Sequence, residues 1–100
     1  VEAVYEFDWR GGTDCARVGV SRRLSDVHLQ VWDAGLFVFE CILSDVIPVS
    51  GRSVVEIGAG VGLNAVALHR AGAKRAVLTD VDEEVVSRLG RTIERNDLDD

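Results

Sequence analysis

The sequence predicts an α/β fold, a Rossmann-like parallel sheet with flanking helices, preceded by an N-terminal β-hairpin. Three observations lead to it. Two short β-branched apolar runs, residues 53–57 and 76–79, bracket a stretch of helical periodicity, the order of a right-handed strand–helix–strand crossover. A glycine triplet, Gly58, Gly60 and Gly62, follows the first run at once, and Asp80 closes the second. Upstream, residues 1–9 and 16–20 are β-forming segments on either side of the turn cluster Arg10-Gly11-Gly12-Thr13-Asp14.

Bulk properties narrow the class. One hundred residues, 47% of them apolar, make a single folded unit, read as an N-terminal hairpin and connector (1–30) and a ligand-binding half (31–100). A parallel sheet needs several strands and cover on both faces, so two core strands predict part of a larger domain. The formal charge of −6 argues against general affinity for nucleic-acid phosphates. Cys15 and Cys41 have neither zinc-site nor disulfide-framework spacing, which leaves reduced thiols in an intracellular protein, cytoplasmic or nuclear. No apolar run reaches membrane-spanning length, and no His/Cys/Asp/Glu cluster has metal-site spacing.

In chain order, residues 24–29 read as a connector. A helix is expected over 33–45, with Asp33 as its N-cap and Leu36, Val38, Phe39, Ile42, Leu43 and Val46 as an apolar face packed on the sheet. Pro48, Ser50 and Gly51 break it and return the chain to the first core strand, expected to be buried on both faces. Leu63, Val66, Ala67 and Ala71 recur at helical spacing until Gly72, a left-handed stop. Asp82 caps a last helix whose buried stripe is Val85, Val86, Leu89 and Ile93, with Arg88, Arg91, Glu94 and Arg95 facing water. His69 falls off the apolar stripe of its helix and reads as a surface residue.

The chemistry lies between the strands. Glycines in a tight turn let backbone N–H groups approach a ligand, and the helix behind them contributes the positive end of its dipole. The spacing Gly58-x-Gly60-x-Gly62 is not the dinucleotide fingerprint, whose third glycine stands one position later. Glu56, two residues ahead, would repel a pyrophosphate there but attract a cationic amino-acid group. That favours S-adenosylmethionine over a nicotinamide dinucleotide as the cofactor. In a parallel crossover Asp80 faces the same crevice and can accept hydrogen bonds from both ribose hydroxyls.

VVEIGAGVGL followed by LTDVD resembles motif I and the next acidic motif of the class I, seven-stranded S-adenosylmethionine-dependent methyltransferases. With QVWDAGLFVFECIL upstream, the stretch is similar to the eukaryotic methyltransferase family 16, which includes many protein-lysine methyltransferases. The resemblance spans about residues 29–96 and implies a methyltransferase acting on a protein substrate, with lysine the favoured acceptor. Carried over, it implies that Glu56 meets the methionine end, Gly58 and Gly60 approach by backbone, Asp80 holds the ribose, Trp32 lines the site and Val81 packs beside the adenine. Gly62 only permits the turn, and Val61 stands where the family often has threonine. The family's Asp/Asn-x-x-Tyr-type acceptor motif would lie beyond Asp100, so no catalytic residue is assigned and the fragment alone is expected to be inactive. A noncatalytic methyltransferase-like binding module is the alternative reading, and a nicotinamide-dependent oxidoreductase a poorer one.

Overall fold

The computed structural model describes residues 2–9, 14–23 and 25–98. Strands β1 (Glu2–Trp9) and β2 (Asp14–Ser21) pair antiparallel, from Glu2 opposite Ser21 to Trp9 opposite Asp14. The turn expected at 10–14 lies, Asp14 apart, outside the described residues. Alternation along β2 sends Ala16, Val18 and Val20 into the core, while Arg17 points out to pair with Glu6 at 3.1 Å. The connector holds a single 3₁₀ turn, Val27–Leu29.

Helix α1 spans Asp33–Leu43. Its N-cap is Trp32, with no side-chain cap, so Asp33 is the first helical residue rather than the expected cap. It also ends two residues early, because Asp45 takes a positive φ of 64° and the Ser44 hydroxyl donates to the Glu40 carbonyl. Phe39 and Ile42 are buried, whereas Val46 lies past the helix end and is 70% exposed. The apolar face of α1 packs on the next helix rather than on the sheet. Periodicity gives a face, not what covers it.

Strands β3 (Ser53–Ile57) and β4 (Arg75–Thr79) form the parallel pair, Val55 opposite Val77 and Ile57 opposite Thr79. The crossover between them is α2 (Leu63–Arg70), entered through the glycine turn and stopped by Gly72 at φ 82°. Every residue from Leu63 to Leu68 is buried, because α1, β2, β4 and the last helix all touch α2. His69, at its end, is exposed, as its position off the stripe requires. The expectation that both faces of the strands are covered does not hold: Val55 and Ile57 are 65% and 87% exposed, and the cover lies on the side of Val54 and Leu78.

Helix α3 (Glu83–Arg95) opens on Asp82, whose carboxylate accepts from the Glu84 and Val85 amides as expected. Its buried residues are Val85, Leu89 and Thr92; Val86 and Ile93 are 51% and 40% exposed, so the stripe is rotated from the expected one. The reason is a hydrogen bond from the Thr92 hydroxyl to the Val61 carbonyl, 2.9 Å, which turns position 92 inward. Arg88 reaches Glu84 one turn back at 3.5 Å. Asn96, expected in a polar loop, is buried and clasps β2 by donating to the Arg17 carbonyl and accepting from its amide, at 2.7 and 2.6 Å. Among the described residues no helix is long and apolar enough to cross a membrane, and no group of three or more His, Cys, Asp or Glu could hold a metal ion.

Candidate functional site

Ligands of parallel sheets bind beyond the carboxyl ends of the strands. Here those ends are Ile57 and Thr79, and the chain leaves them by two turns that brace each other. The Ala59 amide donates to the Thr79 carbonyl at 2.9 Å, and the Thr79 hydroxyl donates to the Glu56 carbonyl at 2.9 Å. From the second turn Asp80 Oδ2 accepts the Gly60 amide and Oδ1 the Asp82 amide, both at 3.0 Å.

The glycine turn needs its glycines. Gly58, Gly60 and Gly62 sit at φ of 74°, 57° and 84°, where a side chain is strained. At Gly62 space is also short, because a Cβ there would lie 2.8 Å from Leu89 Cδ2 and 3.3 Å from Thr92 Cγ2. Gly62 thus lets α2 and α3 close on the turn, the structural part expected for it. At Gly58 nothing lies within 4 Å, so its missing side chain leaves open space.

That space opens on a cleft of about 210 Å³ whose walls include Trp32, Glu56, Gly58 and Gly60. Four of the six residues singled out from the sequence therefore share one cavity. Trp32 is held there by its indole N–H, which donates to the Val27 carbonyl at 2.9 Å. Asp80 does not line the cleft but holds Gly60, which does, and Val81 does not line it either and is fully exposed. A larger hollow of about 560 Å³ is lined by His69, Ala73, Lys74 and Arg75, at the amino end of β4, and holds none of these residues.

The cleft also contains a residue that the motif reading passed over. Asn64, the second residue of α2, donates from Nδ2 to Glu56 Oε2 at 2.9 Å. A polar residue inside the apolar run LNAVAL is the signal that could have singled it out. Glu56 Oε1 is buried with no hydrogen-bond partner among the described residues. Burial pushes the Glu56 carboxyl above the ordinary glutamate range, and the Asn64 hydrogen bond offsets part of that rise. A half-buried carboxylate with one idle oxygen beside a bend with open space suits a group that donates hydrogen bonds and carries positive charge. The amino-acid end of S-adenosylmethionine has such a group, so these residues fit that cofactor.

A family model described as lysine methyltransferase matches residues 20–100. Over 49 residues the chain is 39% identical to the ribosomal protein L11 methyltransferase of Thermotoga maritima and 37% identical to that of Thermotoga petrophila. The matched stretch is 49% of this chain and 19% of each relative, so the chain spans about a fifth of the length of these curated relatives.

Proposed function

Since the chain belongs to the lysine methyltransferase family by the match over residues 20–100, we propose that it serves an S-adenosylmethionine-dependent methyltransferase whose acceptor is a protein lysine side chain. The observation that carries the cofactor assignment is the idle, buried Oε1 of Glu56 at the wall of the glycine-lined cleft. A cationic group placed there restores the pairing that burial has stripped from the carboxylate.

The residues divide the cofactor among them. At about 210 Å³ the cleft is below the usual range for a whole small-molecule site, about 300–1,000 Å³, and suits the amino-acid tail. Glu56 takes the ammonium, Gly58 and Gly60 offer backbone, and Trp32 forms a wall. The ribose then lies over Asp80, a carboxylate of the kind that accepts hydrogen bonds from ribose hydroxyls. The adenine covers Val81, which is otherwise fully exposed. S-adenosylmethionine supplies, when bound, an electrophilic methyl group on a sulfonium. The part of these residues is positional: they fix one end of the cofactor so that an acceptor amine, once neutral and desolvated, can meet the methyl group in line.

A protein acceptor is supported by the family's description and by the relatives, named as methyltransferases of a ribosomal protein. An intracellular setting suits Cys15 and Cys41, neither of which is in a disulfide. Titrating S-adenosylhomocysteine into the intact protein by calorimetry should give saturable binding at one site, and labelled methyl groups should appear on lysine in a protein extract. No binding would sink the cofactor assignment; label confined to another residue type would sink the lysine assignment alone.

A further inference from the structure

Asn64 is 7% exposed, and its amide is oriented by what it touches. An ionised carboxylate only accepts, so the amide presents Nδ2 to Glu56 Oε2 at 2.9 Å and is left with Oδ1. That oxygen, like Glu56 Oε1, is buried with no hydrogen-bond partner among the described residues, and both side chains line the cleft. Two buried acceptors in one wall, neither with a partner among the described residues, call for a ligand with at least two N–H or O–H donors. A carboxylate offers none and a single hydroxyl one, whereas a primary ammonium offers three in a tetrahedral spread.

We propose that Asn64 is a specificity-determining residue of this site, its Oδ1 taking one N–H of the cofactor's primary ammonium while Glu56 Oε1 takes another. The assignment rests on the methyltransferase reading above and adds to it the residue that makes the site select for an amine. Asparagine suits both tasks, being a donor to the carboxylate and an acceptor to the ligand. Leucine would do neither, and aspartate would keep the acceptor while adding a second negative charge.

The test is calorimetry on the intact protein with S-adenosylhomocysteine and with its desamino analogue, in which hydrogen replaces the amine. The wild type should prefer the amine-bearing ligand by about 10- to 100-fold, the range for hydrogen bonds to a charged group. In Asn64→Leu, or Asn64→Ala should the leucine variant melt early, the preference should fall several-fold, while affinity for the desamino analogue stays within about threefold of wild type. Asn64→Asp should keep the preference. A wild-type preference below about threefold overturns the proposal. So does an unchanged preference in Asn64→Leu or Asn64→Ala, which would mean that a bound water only answers the asparagine oxygen. Equal losses for both ligands in all three variants also overturn it, leaving Asn64 a scaffold residue. A wild type that binds neither ligand marks a different failure, that of the methyltransferase reading, and this assignment falls with it.

Discussion

Glu56, the penultimate residue of β3, and Asp80, just past β4, are carboxylates at matching ends of two paired strands, yet their surroundings use them differently. Around Asp80 both oxygens are engaged by backbone, accepting the Gly60 and Asp82 amides at 3.0 Å. Around Glu56 one oxygen accepts from Asn64 and the other is buried without a partner among the described residues. The difference separates two tasks within one short motif. Asp80 satisfies N–H groups that a left-handed glycine bend would otherwise leave bare, which holds the bend in place. Glu56 keeps acceptor capacity that nothing among the described residues answers, at a cost in stability that binding recovers.

Substituting the two carboxylates is the most direct way to break this contrast. Glu56→Gln should weaken S-adenosylhomocysteine binding by about 100-fold, about 2.7 kcal/mol, because the charge that meets the ammonium is gone. Its urea midpoint should hold or rise, since an amide is less penalised by burial than a carboxylate. Asp80→Ala should lose the ribose contact and, unlike Glu56→Gln, also about 2 kcal/mol of stability, from two backbone amides left without their acceptor. Denaturant unfolding with an unchanged m-value would check it. If both variants lose stability alike, the division between bracing and binding is wrong.

A third, smaller change sharpens the bracing side. The Thr92 hydroxyl reaches from α3 to the Val61 carbonyl at 2.9 Å, so the bend is held from that helix as well as from Asp80. Thr92→Val keeps the shape and removes the bond, and should cost about 1 kcal/mol while ligand affinity stays within about threefold. A large loss of affinity would mean that the bend is not rigid enough for its two supports to act separately.

Much of this was legible in the sequence because it depends on local constraint. The positive φ of Gly58, Gly60 and Gly62, the strands on either side, the Asp82 cap and the Gly72 stop follow from residue type and spacing. What was not legible depends on pairs distant in sequence. Asn96 reads as a loop residue until Arg17, 79 positions away, is beside it. Thr92 displaces Ile93 from the buried stripe only because Val61 offers a carbonyl. The apolar face of α1 was visible, but periodicity carries no information on whether a sheet or a helix covers it. Asn64 falls between these cases, since its polarity in an apolar run was readable and its partner was not.

The smallest expected effect bears on the contrast from another side, through protons. Burial raises the Glu56 carboxyl above its ordinary range, with the Asn64 hydrogen bond acting against that rise. The folded protein therefore holds this proton more tightly than the unfolded chain does. The contribution is fully present below the unfolded-state value and is lost as pH rises through the folded-state value, so stability falls across that window and then levels. A cationic ligand favours the ionised form, so affinity for S-adenosylhomocysteine should rise across the same window, and binding within it should release a proton. Calorimetry in buffers of different ionisation enthalpy detects that release. Urea midpoints measured from about pH 4 to 7 follow the stability slope, which Glu56→Gln should remove. Stability and affinity that climb together with pH would show that Glu56 is already satisfied in the unliganded fold, and the distinction between the two carboxylates would no longer stand.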